Sequence, residues 1–143
     1  PCLLNPVTIA GFQRRHSDAH IMVNFGALAD SYGETIDLAL YRCIQEGITN
    51  AIRHGKATQV VIQLKEQIRR IMVTVTDNGM GLPKTIPQQK GMGLRIMQSR
   101  AGMIGGTLEV ENCPSGGAKV VCSVSRKAID KQKVKNRARE TKE

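Results

Sequence analysis

ETIDLALYRCIQEGITNAIRHG, residues 34–55, is the longest helical pattern in the chain. It closes on Gly55, a residue type suited to a helix C-cap. Successive helical residues turn by about 100°, so Leu40, Ile44, Gly47, Ile48 and Ala51 gather into one apolar stripe that must face a core. Arg42, Gln45, Thr49 and Arg53 mark the wet side. Glu46, Asn50 and His54, each four residues apart, run along the rim between the two. A ligand covering the helix would meet them there; otherwise they are ordinary boundary residues.

The pattern extends outward from this helix in both directions. Upstream, Asn5-Pro6 reads as an N-cap and first helical residue, opening a short helix through Phe12. Ile21, Val23 and Phe25 alternate with Met22 and Asn24 as a half-buried strand does, and a turn follows around Asp30 to Gly33. Downstream, Thr58 to Glu66 and Arg69 to Asp77 are two strands joined near Gln67. Residues 78–92 form a loop rich in Gly and Pro, and a helix runs from about Gly93 to Ile104, stopping at Gly105-Gly106. Thr107 to Asn112 and Ala118 to Ser125 are two more strands, linked across Pro114-Ser115-Gly116-Gly117. Strands and helices alternate without a strict β-α-β rhythm. The expected class is therefore α+β, a two-layer sandwich of one mixed sheet with helices on one face.

A chain of 143 residues fits one domain. With two Phe, two Tyr and no Trp, its core has to be aliphatic and Met-rich. No apolar run approaches the roughly 20 residues of a bilayer crossing, and Pro1 to Pro6 do not read as a signal peptide. A start at Pro1 suggests a piece of something longer. The net charge of +9 is concentrated: residues 126–143 hold eight Lys or Arg against three acidic residues. That stretch is expected to be a disordered, solvated tail. With no stacking aromatics beside it, it does not argue for nucleic acid. Cys2, Cys43, Cys113 and Cys122 have no Cys-x-x-Cys spacing. Cys43 and Cys122 read as buried free thiols, and the compartment as reducing, most simply the cytoplasm. His16 and His20 share a helical spacing but lack the companions of a metal site.

Three local patterns carry chemistry. An Asn amide on the helix rim gives a phosphate-bound cation an oxygen ligand without adding charge, and Glu46 one turn earlier is placed to orient a water or take a proton. Ile71, Val73 and Val75 share a strand face with Asp77, which draws that carboxylate inward, where it needs a donor such as the exocyclic amine of adenine. Read more plainly, Asp77-Asn78-Gly79 is a hairpin turn, although no second strand follows at once. Gly91-Met92-Gly93 opens a helix, where backbone N–H groups and the helix dipole favour an anion, with Lys84, Lys90 and Arg95 nearby. Each pattern alone is common. Glu-x-x-x-Asn, then Asp-x-Gly-x-Gly, then Gly-x-Gly-Leu, in that order and spacing, is not, and no Gly-x-x-x-x-Gly-Lys-Ser/Thr occurs anywhere.

Together these stretches resemble the ATPase family shared by histidine kinases, DNA gyrase, the Hsp90 chaperones and the mismatch-repair protein MutL. Tyr41 to His54 is similar to that family's N box, in the form seen in sensor kinases related to nitrate sensors. Asp77-Asn-Gly-Met-Gly81 resembles the G1 box and Gly91-Met-Gly-Leu94 the G2 box. Gly105-Gly106-Thr-Leu-Glu-Val and Pro114-Ser-Gly-Gly117 resemble the end of the same kinase group. The resemblance runs from about Leu38 to Ser125.

The resemblance implies the Bergerat fold and a division of labour. Residues 31–125 would form the ATP-binding core, and residues 1–30 would add a helix and strand of the same domain, cut from an upstream dimerisation region. Asn50 would bind Mg²⁺ and Glu46 would act beside it as the second catalytic residue. His54 and Lys56 would lie near the phosphates, Asp77 would accept from the adenine amine, and Gly79 and Gly81 would shape that pocket. Gly91, Gly93 and Leu94 would form the phosphate end of a short lid over residues 82–90. Ala118 departs from the Thr often found there, removing one water-mediated adenine contact. The cofactors implied are ATP and Mg²⁺. The function implied is the catalytic domain of a two-component histidine kinase, passing the γ-phosphoryl group to a histidine on a separate dimerisation region and thence to a response regulator. The parent would be a homodimer, and the isolated domain inactive in autophosphorylation. An anti-sigma-factor type of serine kinase with this fold is the rival, and a gyrase-like clamp lacks its long lid here.

Overall fold

The structure is a computed structural model that describes residues 5–24, 31–81 and 92–142. Helix α1 (Pro6–Arg15) begins where Asn5 accepts a hydrogen bond from the Thr8 N–H, with Pro6 in the first turn. Strand β1 (His20–Asn24) follows, then helix α2 (Glu34–Thr49), which continues as a single π-helical turn over Asn50–His54. Strands β2 (Gln59–Glu66) and β3 (Arg70–Asp77) precede helix α3 (Met92–Met103), strands β4 (Gly106–Asn112) and β5 (Ala118–Ser125), and helix α4 (Arg126–Lys142). The sheet order is β1-β2-β3-β5-β4, with β1 parallel to β2 and every other pair antiparallel. The mixed sheet and α+β class expected from the sequence are what form.

One face of the sheet is apolar. Val60, Ile62, Leu64, Ile71, Val73, Val75, Val120, Cys122 and Val124 point into the core and meet Ile36, Leu40, Ile44 and Ile48 of α2 and Met97 and Ala101 of α3. The other face carries the alternate residues, among them exposed Thr107, Glu109 and Glu111. Helix α2 lies so close to β3 that a Cβ on Gly47 would sit 3.2 Å from the Val75 side chain. Asp37 is the core's buried charged side chain among the described residues, 2% exposed. Its Oδ1 accepts from the Tyr32 N–H at 3.0 Å and its Oδ2 from the Ser31 hydroxyl, so it ties the preceding loop to the first turn of α2.

Gly55 ends the helix as its C-cap, as expected, but in the right-handed region at φ −87°, and the left-handed residue is Lys56, at φ +52°. The π turn moves the reversal one residue on: Gly55 N–H reaches the Asn50 carbonyl and Ala57 N–H the Ala51 carbonyl. A non-glycine in that region costs roughly 1–2 kcal/mol, so neighbouring contacts must hold it.

Residues 126–142, expected to be disordered, form α4. Charge composition missed two anchors. The Ser125 hydroxyl caps the helix by accepting from the Ala128 N–H at 3.0 Å, and Ile129 is fully buried in the core. The Arg126 guanidinium adds an ion pair to Glu66 at 3.0 Å. Ile129→Ala is expected to cost about 2–4 kcal/mol in chemical denaturation, against less than about 0.5 kcal/mol for exposed Lys131→Ala. Equal, negligible effects would mean that α4 does not dock.

Cys43 of α2 and Cys122 of β5 are both buried and share a hydrogen bond across the core. That bond pulls the Cys43 thiol pKa down, whereas for Cys122 the bond and then burial push it well up. Iodoacetamide added to native protein should modify half-exposed Cys113 well before either core thiol. Mass spectrometry of the first labelled peptides checks the order.

Candidate nucleotide-binding site

The carboxyl end of β3 is where chain segments converge. Asp77 keeps the facing of Val73 and Val75 but lies at the strand's end, so it is half-buried rather than enclosed. Its Oδ1 accepts from two backbone groups, Gly79 N–H at 2.8 Å and Ala118 N–H at 3.3 Å. Among the described residues, Oδ2 accepts none. The carboxylate is therefore fixed in orientation, with Oδ2 unengaged by the described residues.

Backbone approaches backbone on both sides of it. A Cβ on Gly79 would come within 2.3 Å of the Gly55 carbonyl oxygen. One on Gly117, which also has φ +87°, would come within 1.9 Å of the Asp77 carbonyl oxygen. These two positions therefore require glycine: the β3 loop lies against the end of the α2 π turn, and the β4–β5 turn lies across Asp77. The Met80 N–H donates to the Gly55 carbonyl at 2.8 Å, and a Cβ on Gly81 would meet the Asn112 side chain at 2.8 Å.

The rim residues of α2 come to the same end of the sheet. Glu46 and Asn50 are half-buried, while His54 and Lys56 are exposed. Their side chains make no hydrogen bond or ion pair with the described residues. Asn50 begins the π turn, and its carbonyl takes the Gly55 N–H at 3.0 Å. Gly93 and Leu94 lie in the first turn of α3, with Leu94 packed against the core. Gly91, Lys84, Lys90 and the lid at 82–90 lie outside the described residues. Ala118 has lost a side-chain hydroxyl relative to Thr, yet its backbone N–H still reaches Asp77.

Sequence reasoning treated Asn78 only as a turn residue. The structure gives it three side-chain hydrogen bonds to the start of β2. Asn within Asp-Asn-Gly signals only a local turn, and its actual partners lie 19 and 20 residues away.

The family of histidine kinase-, DNA gyrase B- and HSP90-like ATPases matches residues 35–128. The signal transduction histidine-protein kinase/phosphatase DegS of Brevibacillus brevis is 30% identical over 95 residues, 66% of this chain and 25% of that protein. The corresponding kinase/phosphatase UhpB of Salmonella typhimurium is 39% identical over 83 residues, 58% of this chain and 16% of that protein. The nitrate/nitrite sensor protein NarX of Escherichia coli is 33% identical over 82 residues, 57% of this chain and 14% of that protein. The ATP binding domain of PrrB from Mycobacterium tuberculosis superposes with a TM-score of 0.65 at 25% identity, covering 82% of this chain and 87% of that one. The chain belongs to this ATPase family, and its similarity within it is to the ATP-binding domains of sensor histidine kinases. It spans a quarter or less of the length of the three kinases compared.

Asp77→Asn separates the carboxylate's two duties. An amide oxygen still accepts from Gly79 and Ala118, but an NH₂ then meets a ligand amine, donor against donor. The variant is expected to unfold at the wild-type temperature within about 2 °C and to bind ADP at least ~10-fold more weakly by calorimetry. Wild-type affinity would remove Asp77 from base recognition.

Proposed function

We propose that this domain binds Mg-ATP between Asp77 and the Glu46–His54 rim and, within a sensor kinase, passes the γ-phosphoryl group to a histidine on a separate dimerisation region. The observation carrying this reading is the half-satisfied Asp77, pinned through Oδ1 by two backbone donors with Oδ2 left without a partner among the described residues. The adenine amine fits there as the missing donor, against a floor where glycines leave no side chain in the way.

The chain also fits a divalent cation brought in with phosphates. Among the described residues no cluster of three or more His, Cys, Asp or Glu forms an all-protein cage. A cation held mainly by phosphate oxygens needs few protein ligands. Asn50 supplies an amide oxygen and Glu46 a carboxylate one turn away, both side chains without partners among the described residues. When bound, the metal neutralises phosphate charge. Asn50 would hold it, and Glu46 would orient a water or take the proton of the attacking imidazole. His54 and Lys56 supply positive or hydrogen-bonding groups beside the phosphates, and Gly91, Gly93 and Leu94 form the phosphate end of the lid. Transfer breaks the bond between the γ-phosphorus and the β,γ-bridging oxygen, releases ADP and forms an N–P bond. The protein's part is positioning and charge stabilisation.

On this reading the acceptor histidine belongs to a dimerisation region, the domain is cytoplasmic, the parent is a homodimer, and the phosphoryl group moves on to a response regulator. The domain alone then binds nucleotide without labelling itself.

Asn50→Ala is expected to abolish the Mg²⁺-dependent part of ATP binding in calorimetry, with Lys133→Ala unchanged. Labelled ATP with a separate dimerisation fragment should give acid-labile phosphohistidine on that fragment. Acid-stable phosphoserine on a partner would instead support the anti-sigma type of kinase, and equal affinity of wild type and Asn50→Ala would sink the metal assignment.

A further inference from the structure

Asn78 is exposed, yet its side chain makes three hydrogen bonds. Its Oδ1 accepts from the Thr58 N–H and the Gln59 N–H, each at 2.9 Å. Its Nδ2 donates to the Thr58 hydroxyl at 2.9 Å, and its own backbone N–H donates to the Gln59 carbonyl at 3.3 Å. These bonds cross 19 and 20 residues of sequence, so they do not serve the local turn. They join the loop after β3 to the segment that leaves the π turn.

That segment is a constrained one. Asn50–His54 form the π turn, Gly55 ends it, and Lys56 follows in the left-handed region before Thr58 and Gln59 enter β2. π turns and left-handed non-glycine residues persist only where surrounding contacts over-determine them. Asn78 captures the two backbone N–H groups just beyond the strained residue. Met80 N–H fastens the same loop to the Gly55 carbonyl just before it. The Asp77–Gly81 loop thus grips the exit of the π turn on both sides of Lys56.

We propose that Asn78 is a positioning residue: by holding Thr58 and Gln59 it fixes Asp77, which receives the base, relative to Asn50, which lies on the phosphate side. The inference rests on the function proposed above and adds a residue to it. A ligand that spans both ends gains from having them at a fixed separation, because neither has to be reset on binding. A ligand that touches only one end gains little.

The test compares Mg-ADP, which reaches both ends, with adenosine, which reaches only the base end, by calorimetry and ligand-observed NMR on the whole chain. Asn78→Ala is expected to weaken Mg-ADP about 10-fold and adenosine by less than about 3-fold. Asn78→Asp, which keeps both acceptor contacts, is expected to recover most of the Mg-ADP affinity. Thr58→Val removes only the side-chain bond, keeps the backbone ones, and should weaken Mg-ADP about 2–3-fold. It carries the test should Asn78→Ala fail to fold. A lower unfolding temperature with an unchanged ratio of Mg-ADP to adenosine affinity would make Asn78 a stabilising clip and overturn the proposal, as would wild-type Mg-ADP affinity in Thr58→Val when Asn78→Ala cannot be read. Wild-type protein that binds neither ligand would sink the nucleotide reading itself, a result distinct from binding that Asn78 does not affect.

Discussion

The contact on which the site depends is one between main chains. The turn joining β4 to β5 lies on the peptide of Asp77 so closely that only a glycine fits at position 117, and the loop after β3 lies as closely on Gly55. Side-chain packing cannot produce such spacing, because any Cβ would separate the layers. With the segments this near, backbone N–H groups from two of them reach the same oxygen of Asp77. The orientation of that carboxylate is a consequence of sheet order, since β3 and β5 are neighbours, and Ala118, next to the turn glycine, opens β5.

The rest of the domain keeps those segments in register. An apolar sheet face meets an apolar helix stripe, and the small residue Gly47 lets α2 approach β3. This sets the height of Glu46 and Asn50 over the strand ends. Because α2 widens into a π turn at Asn50, the rim residues beyond it do not follow the simple four-residue ladder of an α-helix. Helix α4 closes the same layer through Ile129, so the basic segment is both part of the core and the holder of much of the positive charge.

Sequence periodicity was a sufficient guide wherever burial itself follows a period. The stripe of Leu40, Ile44, Gly47, Ile48 and Ala51 is buried as the helical spacing required, and the strands lie within one residue of their expected bounds. Asp77 faces as parity required, though less deeply, because a strand's last residue lacks neighbours on one side. What remained illegible depended on partners distant in sequence. Nothing local to Asn78 announces Thr58, and nothing local to Gly55 announces its close approach to Gly79 at the end of the π turn. The helix at 126–142 needed one apolar residue and one cap, too few to register in a charge average.

Two aspartates in the same fold differ in how far their carboxylates are satisfied by the described residues. Asp37 lies deep in the core, and both of its oxygens are engaged, one by the Ser31 hydroxyl and the other by the Tyr32 N–H, so its desolvation is compensated within the chain. Asp77 lies shallower and has two donors on one oxygen and none on the other among the described residues. Had its role been to finish a turn, the Gly79 contact alone would have sufficed. A second backbone donor arriving from Ala118, 41 residues away, turns the carboxylate without completing it. Such an arrangement costs conformational freedom and, among the described residues, leaves acceptor capacity unused. That imbalance, more than burial, separates Asp77 from Asp37 and is what the proposed nucleotide reading builds on.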